Sequence, residues 1–125
     1  PHTDGPKKLI ALVLFFVDDS WSKKNGGMVN FYKPKDIDQE NNWKNKKVKK
    51  KNLDIIKTII PIPNMLYAFK KTENSYHSVE PVKGDHSFRR TFMINLIYEN
   101  ESDIPHYKKT IKNKLKRMFK FSNSN

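Results

Sequence analysis

Apolar residues recur along this chain in two rhythms. Up to about position 98 they come in short runs: Leu9–Val17, Met28–Lys33, Asp54–Ile60, Asn64–Lys70, Tyr76–Val82 and Arg89–Tyr98. Leu9–Val17 is apolar at every position, as in a strand buried on both faces. Asn64–Lys70 alternates, with Met65, Tyr67 and Phe69 on one face and Leu66 and Ala68 on the other. Turn formers separate the runs at Asn25-Gly26-Gly27, Lys33-Pro34, Pro61-Ile62-Pro63-Asn64 and Lys83-Gly84-Asp85. Six short strands with frequent turns predict an all-β core, an antiparallel sandwich or barrel in two facing sheets. The first and last strands are expected to supply core residues. After Pro105 the period changes. Ile104, Tyr107, Ile111, Leu115 and Met118 recur at three- and four-residue steps, which predicts a C-terminal α-helix over 104–120. Residues 121–125 are left as a disordered tail.

At 125 residues the chain makes one domain, and 36% hydrophobic with 12% aromatic residues is enough for a core. The absence of cysteine excludes a disulfide scaffold, a thiolate metal site and a thiolate nucleophile. No apolar run approaches the length of a membrane-spanning helix. The net charge of +12 invites a nucleic-acid partner. However, 22 of the 25 basic residues are Lys, whereas base readers and bidentate phosphate clamps favour Arg. Lys, Asn and Ile share A/T-rich codons, so a biased genome accounts for the charge, and a solvated lysine surface is favoured over a basic patch. The polar stretch Asp36–Asn52 carries six lysines and reads as a mobile loop. The lysines around the C-terminal stripe suit either a membrane surface or a helix packed on the sheet, and packing is favoured.

The candidate chemistry begins at His2-Thr3-Asp4. A His-x-Asp pair arises by chance in about one chain in four of this composition, so the pair alone is weak. Its position just before a buried strand raises it, as does His77 near the start of a later strand. Two imidazoles and a carboxylate on one rim can take one face of an octahedral Fe(II) and leave the other positions open. Plainer roles exist: His2 as a frayed chain start, Asp4 as a turn residue, His77 as a strand histidine bonded to backbone. Arg89-Arg90-Thr91 opens the last strand. Arg89 and Thr91 share a face there, and a guanidinium beside a hydroxyl makes a carboxylate clamp. Arg90 competes for that role, and a one-residue slip would exchange the two. The Arg-x-Thr pairing favours Arg89 inward. His86 and His106 read as loop and helix-start residues.

In these motifs the chain resembles the iron(II)/2-oxoglutarate-dependent oxygenases, close to their prolyl-4-hydroxylase-like branch. The resemblance runs from Pro1 to about Tyr98. It rests on His2-Thr3-Asp4, on Trp21 followed by Gly26-Gly27 and a strand, on Ile62-Pro63-Asn64-Met65-Leu66-Tyr67-Ala68-Phe69, on Ser75-Tyr76-His77-Ser78-Val79 and on Arg89-Arg90-Thr91. It implies a double-stranded β-helix, a jelly-roll, cupin-like barrel over residues 1–98, as the C-terminal part of a catalytic domain. It implies that His2, Asp4 and His77 ligate Fe(II), and that Arg89, with Thr91 beside it, holds the far carboxylate of 2-oxoglutarate. Ascorbate is admitted as an accessory reductant. The implied reaction hydroxylates a prolyl or other aliphatic centre in a peptide or small molecule and releases succinate and CO2.

In relatives, helices precede His-x-Asp and cover the outer side of the first strand. Here that cover is expected from a missing N-terminal part of a longer protein or from another copy of the chain. The rivals are a catalytically inactive jelly-roll binding module and a basic nucleic-acid-binding or nucleic-acid-demethylating relative. The nucleic-acid rival is disfavoured because the aromatics sit inside apolar strands rather than on an exposed platform.

Overall fold

Lys8–Phe16 forms the first strand, β1, where an unbroken apolar run meets the requirement of a central strand. Ala11, Val13 and Phe15 face inward and are fully buried. The computed structural model describes residues 1–35, 48–84 and 88–104. The other strands are β2 (Val29–Pro34), β3 (Leu53–Ile59), β4 (Leu66–Lys70), β5 (Tyr76–Val79) and β6 (Arg90–Ile97). All six match the expected runs to within a few residues. They form two three-stranded antiparallel sheets, ordered β4-β1-β6 and β3-β2-β5. No α-helix occurs among the described residues, and no helix there is long and apolar enough to cross a membrane. The expected helix over 104–120 and the tail at 121–125 fall almost wholly outside the described residues, as do His86 and His106.

The sheets meet through Val13 and Phe15 of β1 and Val29 of β2, with Phe31, Ile59, Met65 and Tyr67 packed around them. A second cluster lies on the other face of β2, where Tyr32 packs with Leu53, Tyr76 and Val48. Polar groups on that face are paired. The buried Asn30 donates to Glu80 Oε1 at 2.7 Å and accepts from Thr58 Oγ1 at 2.6 Å, and Tyr32 and Ser78 hydroxyls lie 2.8 Å apart. Val48 and the short 3-10 turn Lys50–Asn52 therefore belong to the packed structure rather than to a mobile loop. Residues 36–47 of that stretch lie outside the described residues.

β6 departs from expectation. All eight of its residues are exposed, including Phe92, Ile94, Leu96 and Ile97. The physical reason is position: β6 ends its sheet with β1 as its one neighbour, and among the described residues no element lies over it. Burial on this side stops at β1.

Candidate metal centre

The chain start is tied to β5 by two backbone bonds, His2 N–H to His77 O at 3.0 Å and His77 N–H to His2 O at 2.9 Å. This bridge sets His2 beside His77 although 75 positions separate them in sequence. The imidazole centroids are 4.6 Å apart. Thr3 is fully buried between His2 and Asp4, so both flanking side chains fall on the side that faces His77. Asp4 Oδ1 lies 3.9 Å from His2 Nε2 and 3.8 Å from His77 Nε2. One ligand atom from each of the three residues falls within 4.8 Å of the others.

The donors are set for a cation. His77 Nδ1 lies 3.0 Å from the Ser75 carbonyl oxygen, which can only accept. Nδ1 therefore carries a proton, and Nε2 faces Asp4 and His2. Burial, reinforced by the neighbouring His77, lowers the His2 pKa below its ordinary value, although Asp4 acts in the opposite sense. That direction favours the neutral imidazole, the form that binds metal. The other Asp4 oxygen, Oδ2, is buried 3.1 Å from Lys8 Nζ without an aligned hydrogen bond. Lys8 thus holds the carboxylate by charge and leaves Oδ1 toward the histidines. Ligands on one octahedral face around an ion at about 2.1 Å lie about 3 Å from one another. This group needs an inward shift of about 1 Å to reach that spacing, and two imidazoles with one carboxylate suit Fe(II).

An aromatic wall leads away from this group. His77 meets Phe69 at 4.9 Å and Phe31 at 6.0 Å, Phe31 meets Tyr67 at 6.4 Å, and Tyr67 meets Phe15 at 5.4 Å. At the far end the Arg89 guanidinium lies 4.9 Å from the Phe15 ring centre. Thr91 pairs with Phe15 in the β1–β6 register, so Arg89 and Thr91 share the inner face, and Thr91 is exposed. Arg90 pairs with Phe16 on the other face, with its guanidinium near Phe88. Burial lowers the Arg89 pKa, but an arginine stays charged in a protein. Among the described residues its buried Nε has no hydrogen-bond partner, and neither has the buried Nε1 of Trp21.

Tyr67 belongs to the site although its motif carried no functional expectation. It feels both Asp4 and Arg89, while burial, the largest influence, raises its pKa. The alternation in Asn64–Lys70 put Tyr67 on one face with Met65 and Phe69, but did not say which face is inward or tell a core tyrosine from a site tyrosine. Lys8 had no sequence signal at all, since it is one lysine among 22.

No curated protein and no solved structure is similar enough to count as a match. Residues 2–95 match the family model of the 2OG-Fe(II) oxygenase superfamily, which spans the His2, Asp4, His77 and Arg89 positions together, and the chain belongs to that superfamily.

Proposed function

We propose that this dioxygenase-family chain is an Fe(II)- and 2-oxoglutarate-dependent hydroxylase of the prolyl-4-hydroxylase-like branch, acting on a prolyl or other aliphatic centre of a peptide or small molecule. The observation that carries the reading is the convergence of His2, Asp4 and His77 within 4.8 Å at one end of an aromatic wall. A half-buried arginine, Arg89, closes the other end over the Phe15 ring. The order of crossings between the two sheets supports a double-stranded β-helix as the frame.

In this reading His2 Nε2, Asp4 Oδ1 and His77 Nε2 hold Fe(II), and Arg89, with Thr91 on its face, takes the far carboxylate of 2-oxoglutarate. Iron and keto acid, when bound, supply oxygen activation and the oxidation that leaves a hydroxyl on the substrate with succinate and CO2 as co-products. The chain's own work is placement. Asp4, held by Lys8, presents one oxygen. The Ser75 carbonyl fixes the His77 tautomer. Phe15, Phe31, Tyr67 and Phe69 keep water from the space between the two ends. The Arg89 Nε without a partner is a donor awaiting an acceptor, and a carboxylate meets that need.

Anaerobic titration with Fe(II) and then 2-oxoglutarate tests the reading. A visible metal-to-ligand charge-transfer band that appears only with both, and is lost in His77→Ala, is expected. A chain that binds neither metal nor keto acid would overturn it.

A further inference from the structure

The Trp21-x4-Gly26-Gly27 motif has so far been given no task. Both glycines sit at positive φ, 70° for Gly26 and 69° for Gly27, where a Cβ is strained. Their surroundings differ. A Cβ on Gly26 would run into the Pro81 carbonyl, which is a backbone reason for glycine. A Cβ on Gly27 would fall 2.7 Å from Arg89 Cδ, 3.2 Å from Trp21 Cζ2 and 3.4 Å from Val82 Cγ2. The arginine stem therefore runs through a slot floored by Gly27 and walled by Trp21 and Val82, and it emerges over Phe15.

We propose that Gly27 is a positioning residue for 2-oxoglutarate binding: its missing side chain sets the path of Arg89 and so the place of the guanidinium that receives the far carboxylate. The proposal rests on the functional reading above. A methyl group at position 27 would have to move Cδ by about 0.7 Å to reach ordinary contact. Neither wall yields easily. Trp21 is buried, and on the other side Phe15 is fully buried beneath the guanidinium. The displacement therefore passes along the stem to the guanidinium. A misplacement of about 1 Å in a binding constellation can cost about 100-fold. Toward 2-oxoglutarate Gly27 acts through Arg89, so its effect on keto-acid affinity should vanish where Arg89 has no stem, while the backbone strain of a Cβ at φ 69° remains.

A double-mutant cycle tests this with the wild-type chain, Gly27→Ala, Arg89→Ala and the double variant. One readout is calorimetric binding of 2-oxoglutarate to the Mn(II)-loaded chain. The other is the thermal midpoint of the metal-free chain. Gly27→Ala is expected to weaken 2-oxoglutarate about 10-fold or more, with Mn(II) affinity unchanged. In the Arg89→Ala background the same change should shift keto-acid affinity less than about 2-fold and lower the midpoint less than it does alone. Equal midpoint losses in both backgrounds, with unchanged keto-acid affinity, would overturn the proposal and leave Gly27 a backbone residue only. Folding of the double variant but not of Gly27→Ala would support it, whereas failure of both to fold would count against it, since removing the stem should relieve the clash. If the wild-type chain binds Mn(II) but no keto acid, the functional reading fails. The coupled midpoints would then still decide whether Gly27 sets the path of Arg89.

Discussion

At the His77 end of the inner face, two polar groups from the chain start, His2 and Asp4, converge with a third, His77, which lies 75 positions beyond His2. At the Arg89 end, a single cation is threaded between Trp21, Gly27 and Phe15. The first end is held by charge and two backbone bonds, the second by shape. Polar convergence of that kind is conditional: without a cation, Asp4 leans on Lys8, and the imidazole centroids stand 4.6 Å apart with the rings tilted by 54°. Shape needs no partner. If the proposed metal binds, its end of the site can adjust on loading while the far end stays fixed, and the two ends should fail differently.

The largest effect is expected at the metal end. His77→Ala or Asp4→Ala removes one of three proposed ligands. Iron affinity should fall by more than the roughly 10- to 100-fold that follows loss of a group merely supporting a ligand. Keto-acid affinity, measured by titration with Mn(II) present, should fall with it. If metal binding survived His77→Ala, the convergence would be a polar cluster and not a metal centre.

At the far end the loss should be confined. Arg89→Ala should raise the 2-oxoglutarate KM by about 10- to 100-fold, the worth of a charge-assisted pair, and leave metal affinity within about 2-fold. Arg89→Lys should recover part of this, since it keeps the charge but not the fork. Arg90→Ala should stay close to wild type, because that side chain lies on the outer face. The opposite ranking of Arg89→Ala and Arg90→Ala would contradict the strand register.

The smallest effect is expected with pH, and at the metal end alone. Burial lowers the His2 pKa, so the unfolded chain takes up that proton before the folded chain does. Above the ordinary histidine range this group contributes nothing to the pH dependence. As pH falls through that range toward the lowered folded value, the metal-free chain should lose stability. His2→Asn should flatten the thermal-midpoint profile over that window, and a profile unchanged by His2→Asn would show that its burial has no energetic consequence.

Strands and turns were legible because period-two alternation and glycine or proline punctuation are local signals. Gly26, Gly27 and Asn64, three residues at positive φ, all lie in turns marked in the sequence. The common face of Arg89 and Thr91 was legible from period two, but which face turns toward Phe15 is set by the β1–β6 register. What could not be read was which apolar residues end up covered. Phe92, Ile94 and Leu96 carry the same pattern as a buried strand and are exposed, because cover depends on neighbours that a local pattern does not encode. Val48 was hidden in the reverse sense, an apolar residue inside a lysine run that packs against the cluster of Tyr32, Leu53 and Tyr76. Lys8 and Tyr67 belong to the candidate site through long-range register, which composition and spacing do not reveal.

The exposure of β6 has a bearing on how the chain behaves in concentrated solution. Among the described residues β6 has one neighbour, and a strand so placed presents a row of backbone donors and acceptors along its other edge, here flanked by apolar side chains. Such a strand is a template on which a second copy can add. The net charge of +12 opposes the encounter by repulsion between like-charged molecules. That protection is ionic, with a reach that shrinks from about 30 Å at 0.01 M salt to about 3 Å at 1 M. Added salt should therefore remove the barrier while leaving the sticky edge intact, so light scattering from this chain should rise with ionic strength, the reverse of a protein held together by surface ion pairs.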